Sequence, residues 1–251
     1  MLVLKNINVS FNEGTPLHNV ILRDVDLRAG NGEFITIIGG NGAGKSSLFN
    51  VITGLLRPTR GEIMLDNENV TMMSQHRRSR DVAKVMQDTR AGTMANLTIF
   101  ENLAFAFMRG KHRKLLPYST SAREKLLREK LESLGLGLEK RMDDMVENLS
   151  GGQRQVISLL MAILAPSKVL LLDEITGALD PKISDNVMAL TDKIVRQAGL
   201  TTLMITHNMS HAIKYGDRML LLANHHFLKE FAGEEKRSLS PLKLAEMFGE
   251  I

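Results

Sequence analysis

Gly39-Gly40-Asn41-Gly42-Ala43-Gly44-Lys45-Ser46 is the stretch of sequence that decides the fold. It fits the pattern G-x-x-x-x-G-K-[ST] and lies between a buried-type strand, Glu33 to Ile38, and a helical segment. The glycines let successive backbone N–H groups point at a β-phosphate, and the following helix adds the positive end of its dipole. We expect Lys45 to reach the β- and γ-phosphates, Ser46 to ligate Mg²⁺ and Ser47 to contact the α-phosphate. The stretch therefore predicts an α/β protein that binds a nucleotide.

An apolar segment that ends in two acids indicates the second part of the site. Val169-Leu170-Leu171-Leu172-Asp173-Glu174 has the composition of a strand buried on both faces. Ligands of α/β proteins bind at the carboxyl ends of such strands. We expect Asp173 to hold Mg²⁺ through water, and Glu174 to polarise a water in line with the γ-phosphate.

A second glycine-rich box, Leu149-Ser150-Gly151-Gly152-Gln153, lies about a hundred residues after the phosphate loop. An apolar helix, predicted over Gly152 to Leu164, follows it. Ser150 is a favourable N-cap, and the two glycines expose their backbone N–H groups. The box therefore predicts a second anion site at a helix N-terminus.

The rest of the chain alternates between strand-like and helix-like segments, with two antiparallel strands at the start. A helix start within a helical block is predicted at Ser121-Ala122-Arg123-Glu124. The last predicted strand is Arg218 to Leu222, and a terminal helix is predicted to begin at Ser240-Pro241. We interpret residues 1–251 as a single domain made of the following parts: an α/β core with an N-terminal β subdomain (1–88 and 149–224), an inserted helical subdomain (89–148) and a C-terminal extension (225–251).

Composition limits the classes of function. The chain has 251 residues, 43% of them hydrophobic, which supports a large core. A net charge of +4 is too small to indicate a nucleic-acid partner, so none is predicted. The absence of cysteine excludes disulfides and thiolate metal sites. The polar N-terminus predicts no signal peptide, and no apolar run approaches the roughly 20 residues of a membrane span.

Taken together, the boxes resemble those of the ATP-binding subunits of ATP-binding-cassette (ABC) transporters. The resemblance covers the whole chain and implies a P-loop NTPase core of ABC type, with an antiparallel β subdomain and an inserted α-helical subdomain. Four further positions match the family pattern: Gln87 its Q-loop glutamine, His207 its switch histidine, Phe11 an aromatic that stacks on adenine, and Asp180 its D-loop aspartate. Gly177 departs from the pattern, because the family usually has a serine there.

The resemblance also implies a set of roles and two copies that share their ATP in a head-to-tail dimer. The catalytic residues are Glu174, His207 and Gln87, and Mg²⁺ is bound by Ser46, Gln87 and Asp173. The ATP contacts within one copy come from Phe11, Gly39, Gly40, Asn41, Gly42, Ala43, Gly44, Lys45, Ser46 and Ser47. The contacts from the partner copy come from Ser150, Gly151, Gly152, Gln153 and Asp180.

The implied function is ATP hydrolysis that drives transport, at the cytoplasmic side of the inner membrane. The expected partners are integral membrane permease subunits and a separate substrate-binding protein. Bacterial uptake systems, some of them for amino acids, resemble the chain most, and an exporter is the alternative. ABC ATPases that act on DNA or on ribosomes are further alternatives, but they carry long coiled coils or two cassettes in one chain. We expect the segment with Phe100, Phe105 and Phe107 to receive a short permease helix.

Overall fold

A computed structural model describes residues 1–110 and 119–249, and the chain forms two β-sheets within them. The strands are β1 (Leu2–Phe11), β2 (Asn19–Ala29), β3 (Phe34–Ile38), β4 (Arg60–Leu65), β5 (Glu68–Asn69), β6 (Val82–Val85), β7 (Val169–Asp173), β8 (Thr201–Ile205), β9 (Arg218–Ala223) and β10 (His226–Ala232). The helices are α1 (Lys45–Thr53), α2 (Gln75–Arg78), α3 (Thr89–Gly92), α4 (Ile99–Phe107), α5 (Ser121–Glu132), α6 (Gly151–Leu164), α7 (Pro181–Ala198), α8 (Met209–Lys214), α9 (Gly233–Arg237) and α10 (Pro241–Gly249). Short 3-10 helices cover Leu138–Lys140 and Val146–Asn148.

Two pieces of the predicted parts, 111–118 in the helical block and 250–251 in the C-terminal extension, lie outside the described residues. None of the helices that are described has both the length and the apolar character needed to cross a bilayer.

The larger sheet has six strands in the order β10-β9-β3-β8-β7-β6. Five of them run parallel, and β10 is antiparallel to β9 at one edge. Every residue of β3 and β8 is buried, as are the first four of β7. Strands with both faces covered require such continuous apolar runs. Since these strands are parallel, their carboxyl ends meet at one edge of the sheet, where the predicted site residues lie.

The smaller sheet is antiparallel, in the order β2-β1-β4-β5. Side chains of β1 alternate between buried and more exposed positions, so that Leu4 and Val9 face inward. These side chains share one core with Phe49 of α1 and with Ile37 of β3. The helix that follows the phosphate loop is therefore packed in a core that both sheets share.

The helical block has its own core, built from α4, α5, the two 3-10 helices and one side of α6. Ile157 and Leu160 of α6 belong to this core, whereas Leu159 and Ala162 belong to the core of the large sheet. Because α6 contributes to both cores, this helix attaches the block to the sheet.

Arg78 closes the end of α1 from a fully buried position. Its guanidinium donates hydrogen bonds to the carbonyl oxygens of Val51 and Ile52 in the last turn of α1. It also donates to the carbonyl oxygens of Val70 and Thr71. The last carbonyls of a helix carry partial negative charge, so a cation there stabilises the helix.

Two predicted helix starts were one residue off. The N-cap of α5 is Thr120, whose hydroxyl accepts from the backbone N–H of Arg123, rather than Ser121. Threonine and serine are both good caps, so the sequence alone did not separate them. Helix α6 begins at Gly151 rather than Gly152, because Ser150 is its N-cap. The predicted start of α10 at Pro241 is confirmed, and α7 begins at Pro181 after its N-cap residue Asp180.

The prediction that Arg218 to Leu222 forms the last strand was wrong. Strand β10 follows β9 through a two-residue turn at Asn224 and His225, which have φ of 48° and 72°. Two consecutive residues with positive φ are typical of the tight turns that join antiparallel strands, and Asn accepts this conformation well. An Asn within a run of strand-forming residues was the signal for this hairpin.

Lys236 anchors the C-terminal segment to the body of the protein. The ammonium of this buried lysine donates hydrogen bonds to the carbonyl oxygens of Tyr215 and Gly216, just after α8. Burial lowers the pKa of Lys236 to about 8. The C-terminal extension is therefore packed structure over its described part.

Candidate nucleotide-binding site

The phosphate loop joins β3 to α1 and needs glycine at two positions for steric reasons. A Cβ atom at Gly39 would lie 2.2 Å from the carbonyl oxygen of Leu222. Gly44 has a φ of 102°, and a Cβ atom there would lie 2.6 Å from the carbonyl oxygen of Ile21. Because side chains are excluded at both ends, the backbone N–H groups of the loop stay accessible to an anion.

Lys45 is folded back onto the loop. Its ammonium donates hydrogen bonds to the carbonyl oxygens of Gly39 and Gly40, both at 2.8 Å, and the residue is only 6% exposed. Burial lowers the pKa of Lys45, and the carboxylates of Glu174 and Asp173 oppose that lowering. The cation predicted to bind phosphates is thus already positioned inside the loop. Ser46 is exposed and Ser47 half-buried in the first turn of α1.

Glu174 follows β7 in a strained backbone conformation. Its φ is 49°, in the left-handed region that costs residues with a side chain about 1–2 kcal/mol. Its backbone N–H donates to the carbonyl oxygen of Ile205, the last residue of β8. Strained residues cluster at functional sites, where the surrounding structure holds them in place. The conformation therefore supports the functional importance predicted for this residue.

Three strand ends converge on the Glu174 carboxylate. The Gln87 amide, just after β6, donates from Nε2 to Oε2 of Glu174 at 3.0 Å. Nε2 of His207, just after β8, lies 2.9 Å from Oε1 of Glu174. The structure thus places Gln87, Glu174 and His207 in direct contact, although they are far apart in sequence.

Sequence reasoning missed one charged residue at this edge of the sheet. Nζ of Lys84 lies 2.8 Å from Oδ2 of Asp173, and both side chains are mostly buried. Strands β6 and β7 are neighbours, with Lys84 in register with Leu171, two residues before Asp173. The signal was a single Lys within the apolar strand Val82–Val85, because a lysine in such a place needs an acidic partner.

The second glycine box forms a reciprocal cap at the start of α6. The Ser150 hydroxyl accepts from the backbone N–H of Gln153 at 3.3 Å, and the Gln153 side-chain oxygen accepts from the backbone N–H of Ser150 at 3.2 Å. The hydroxyl proton of Ser150 is not used in this cap, so the hydroxyl can still donate to an anion.

The glycines of this box also have a packing role. A Cβ atom at Gly152 would lie 2.6 Å from Ile183, and one at Gly151 would lie 3.2 Å from Leu179. The close approach of α6 to α7 and to the segment before it therefore requires small residues here. Helix α6 packs against α3, α4, α7 and β6, whereas α1 packs against β2 and β6. The helices that follow the two boxes thus share β6 as a neighbour and differ in their other contacts.

Phe11, Asp180 and Gly177 are the remaining positions of the predicted set. Phe11 ends β1 and is 46% exposed. Asp180 is the exposed N-cap residue of α7. At Gly177 a Cβ atom would lie 3.6 Å from Nε2 of Gln87 and 3.7 Å from Oε2 of Glu174. These are ordinary contact distances, so the serine that the family pattern has at this position would fit sterically.

The oxygen-rich chemistry of the site suits Mg²⁺ and not zinc. Ser46, Gln87 and Asp173 offer hydroxyl, amide and carboxylate oxygens, the hard ligands that Mg²⁺ prefers. Across residues 1–110 and 119–249, no group of three or more His, Cys, Asp or Glu side chains is arranged to hold a metal ion. Mg²⁺ is commonly bound by one or two carboxylates together with substrate phosphates, so this arrangement fits it.

A family model described as "ABC transporter" matches residues 22–177, which include the phosphate loop, the second glycine box and both acids. The chain belongs to the ABC transporter family. It is an ABC ATPase, the ATP-hydrolysing subunit that drives such a transporter, as the motifs predicted.

Two relatives of this ABC ATPase are similar to it in sequence over nearly its whole length. It is 43% identical over 251 residues to a tyrosine transport ATP-binding protein of Clostridioides difficile (strain R20291), covering 99% of this chain and 98% of that one. It is 31% identical over 252 residues to the methionine import ATP-binding protein MetN of Escherichia coli (strain K12), covering 99% of this chain and 70% of that one.

Solved structures of ABC ATPases have the same fold. The dimeric structure of an ATP-binding cassette in a post-hydrolysis state, bound to ADP and Pi, matches with a TM-score of 0.77 and 29% identity. The match covers 92% of this chain and 98% of that one. The predicted fold class is therefore confirmed: a P-loop core of ABC type with an antiparallel β part and a helical part.

Proposed function

We propose that this ABC ATPase powers the uptake of amino acids, with an aromatic amino acid as the first candidate. The observation that carries the proposal is the 43% identity to a tyrosine transport ATP-binding protein, which extends over nearly all of both chains. The similarity to a methionine import ATP-binding protein supports import over export, the alternative direction. The transported solute is selected by other subunits, so this chain supplies the energy and not the specificity.

In the proposed mechanism, the phosphate loop binds the phosphates of ATP. Backbone N–H groups of residues 39–44 donate to the phosphate oxygens, and the Lys45 ammonium exchanges the carbonyl oxygens of Gly39 and Gly40 for the β- and γ-phosphates. Ser47 contacts the α-phosphate, and the exposed ring of Phe11 stacks on the adenine.

Glu174 is the general base of this mechanism. In the structure its two carboxylate oxygens are occupied by Gln87 and His207. For catalysis one oxygen must be released to accept the proton of the attacking water, while the neighbours keep the carboxylate in place. His207 and Gln87 are suited to this, since each carries an N–H group that can turn toward the γ-phosphate or the water.

Ser46, Asp173 and Gln87 are the residues proposed to hold Mg²⁺. When bound, the ion supplies positive charge that stabilises the phosphoryl group during transfer. Asp173 would supply the carboxylate of this set and Ser46 a hydroxyl from the start of α1. The residues provide binding and orientation, and the proton is moved by Glu174.

We infer a head-to-tail dimer in which each copy completes the other's site. Ser150 and the N–H groups of Gly151 and Gly152 contact the γ-phosphate held by the partner copy, with Gln153 and Asp180 beside them. The support is twofold: the Ser150 hydroxyl keeps a proton to donate, and a cassette of the same fold was solved as a dimer with ADP and Pi. ATP binding thus requires one copy, and turnover requires two.

The remaining partners are an integral membrane permease and a separate substrate-binding protein. We place the ATPase at the cytoplasmic face of the inner membrane, bound to the permease. Phe105 of α4 is 50% exposed, while Phe100 and Phe107 on the same helix are half-buried. An aromatic on a partly apolar helix face, in the helical block after the Gln87 loop, is suited to receive a short permease helix.

The docking surface is tested with a matched pair of variants. Phe105→Asp should abolish copurification of the permease, whereas Leu228→Asp should not, because Leu228 is an exposed apolar residue on β10. Permease binding that survives Phe105→Asp would contradict the docking surface but not the ATPase activity.

The transport function is tested by isolating the tagged ATPase with its membrane partners and reconstituting the assembly in proteoliposomes. We expect ATP-dependent uptake of labelled tyrosine, or of another amino acid in a competition panel, and no uptake with Glu174→Gln. Outward transport would contradict import, and indifference to every amino acid would contradict the substrate class. Copurification with DNA or ribosomes in place of a membrane protein would refute the transport role.

A further inference from the structure

Lys84 forms a close ion pair with the carboxylate that the proposed function assigns to Mg²⁺. Nζ of Lys84 lies 2.8 Å from Oδ2 of Asp173, with the two side chains only 18% and 15% exposed. A mostly buried pair at this distance is screened little by solvent, so each charge strongly affects the other. The pairing also restrains the carboxylate.

The other charges at this edge have partners of their own. The Lys45 ammonium is bound to the carbonyl oxygens of Gly39 and Gly40. The Glu174 carboxylate is bound to Gln87 and His207. Lys84 is therefore the cation in direct contact with Asp173, and its Nζ also lies 5.8 Å from the centre of the Phe49 ring, on the phosphate-loop helix.

We propose that Lys84 is a positioning residue that holds Asp173 in place and neutralises it when no metal is bound, so that the site can accept ATP before Mg²⁺ arrives. This inference rests on the proposed ATP and Mg²⁺ site. The reason is electrostatic: without a cation beside it, the Asp173 carboxylate would repel the phosphates of metal-free ATP. The Lys84 ammonium removes that repulsion and remains a competitor that Mg²⁺ must overcome at Asp173.

An ion pair with only a structural role would give a different result when Lys84 is removed. If Lys84 only tied β6 to β7, its removal would weaken nucleotide binding equally with and without the metal. If Lys84 neutralises Asp173, its removal weakens the binding of metal-free ATP far more than the binding of ATP with Mg²⁺, because Mg²⁺ supplies the missing positive charge. The diagnostic quantity is the ratio of the Kd for a fluorescent ATP analogue in EDTA to its Kd in excess Mg²⁺.

We expect Lys84→Met to raise this ratio about tenfold, which corresponds to about 1.4 kcal/mol. Lys84→Arg should keep the ratio within about threefold of the unmodified protein, since the positive charge remains. The matched control is Lys168→Met, because Lys168 also pairs with acids, Asp66 at 3.3 Å and Asp81 at 3.9 Å, but precedes the opposite end of β7. Thermal melting of each variant confirms that it is folded.

A double-mutant cycle tests whether Lys84 acts through Asp173. In an Asp173→Asn background, Lys84→Met should leave the ratio unchanged, because the charge that needs neutralising is gone. A tenfold effect that persists there would mean that Lys84 acts on the phosphates directly, and would overturn the proposal. A ratio within twofold of the unmodified protein in Lys84→Met, or a ratio in Lys84→Arg as high as in Lys84→Met, would overturn it as well.

Failure of the underlying function gives a different result. If the unmodified protein bound the ATP analogue neither in EDTA nor in Mg²⁺, the ATP site itself would be wrong. If it bound the analogue and the variants kept its ratio, only the role of Lys84 would be wrong.

Discussion

Replacement of Glu174 by Gln is the sharpest test of the proposed chemistry. The two side chains have the same shape, but the amide cannot take a proton from water. In the structure Oε2 of Glu174 accepts a hydrogen bond from Gln87 at 3.0 Å, and Oε1 lies 2.9 Å from Nε2 of His207. A glutamine keeps one acceptor oxygen, so at most one of these contacts must rearrange. The variant should therefore fold and should differ mainly in catalysis.

The expected loss in turnover follows from the role assigned to the carboxylate. A positioned general base contributes about 10²- to 10⁴-fold, or about 3–5 kcal/mol of activation free energy. ATP binding should be equal or tighter, since a negative charge near Lys45 and the phosphates is removed. Burial lowers the pKa of Lys45 and Glu174 is the first carboxylate that opposes this, which places its charge close to the phosphate-binding ammonium.

The assay is steady-state phosphate release, measured beside equilibrium binding of a fluorescent ATP analogue. Glu62→Gln is the matched control, because Glu62 is an exposed carboxylate on β4. We expect Glu174→Gln to lose at least a hundredfold in turnover and Glu62→Gln to lose nothing. Turnover within threefold of the unmodified protein would remove Glu174 from the role of base. Loss of ATP binding would show that the substitution had damaged the site rather than the chemistry.

Three further predictions rest on other residues. Ser150→Ala should keep ATP binding and lose at least about tenfold in the rate of phosphate release. The control Thr120→Ala removes the N-cap of α5 at a similar cost of about 1 kcal/mol in stability and should keep both ATP binding and phosphate release. Loss of ATP binding by the isolated Ser150→Ala subunit would contradict the shared site. Arg78→Met should lower the free energy of unfolding by about 2–4 kcal/mol in urea titrations, because three buried carbonyl oxygens and one partly buried carbonyl oxygen lose a charged donor. A change below about 0.5 kcal/mol would contradict this. Burial lowers the pKa of Lys236 from 10.5 to about 8, so between these pH values the unfolded chain binds more protons than the folded protein. The free energy of unfolding should therefore rise with pH, by about 2 kcal/mol from about pH 8 to about pH 9.5. Lys236→Met should remove this rise, and an unchanged pH profile in the variant would refute the assignment.

Much of the site could be predicted from the sequence because its parts are local patterns. The phosphate loop, the acids after β7 and the cap at Ser150 each depend on a few adjacent residues. Each pattern contains residue types that its backbone requires. At Gly39, for example, there is no room for a side chain, and the glycine is visible in the sequence itself. The long buried strands were predictable for the same reason, since a run of apolar residues is sufficient to indicate them.

Features that depend on neighbouring strands were not predictable in the same way. The Lys84–Asp173 pair requires that β6 lies beside β7 in a particular register, which no single segment specifies. Glu174 has a positive φ, and its backbone N–H donates to Ile205 of another strand, a contact that the local sequence does not reveal. Leu126 of α5 is 36% exposed although it is next to the fully covered Leu127, and sequence alone does not show which of two adjacent leucines faces the core. Direct contacts within the site thus needed the tertiary structure.

The order of strands in the large sheet has a consequence for synthesis of the protein. The strand that carries the phosphate loop, β3, is made early, but its two neighbours are β8 and β9, whose residues begin at 201 and 218. A nascent chain that ends before residue 201 has β3 without either neighbour, so the loop at 39–46 lacks its support. Such long separations in sequence slow folding and leave apolar strands exposed meanwhile. The ability to bind ATP should therefore arise late, when nearly the whole chain has left the ribosome, and prematurely terminated chains should be unable to consume ATP.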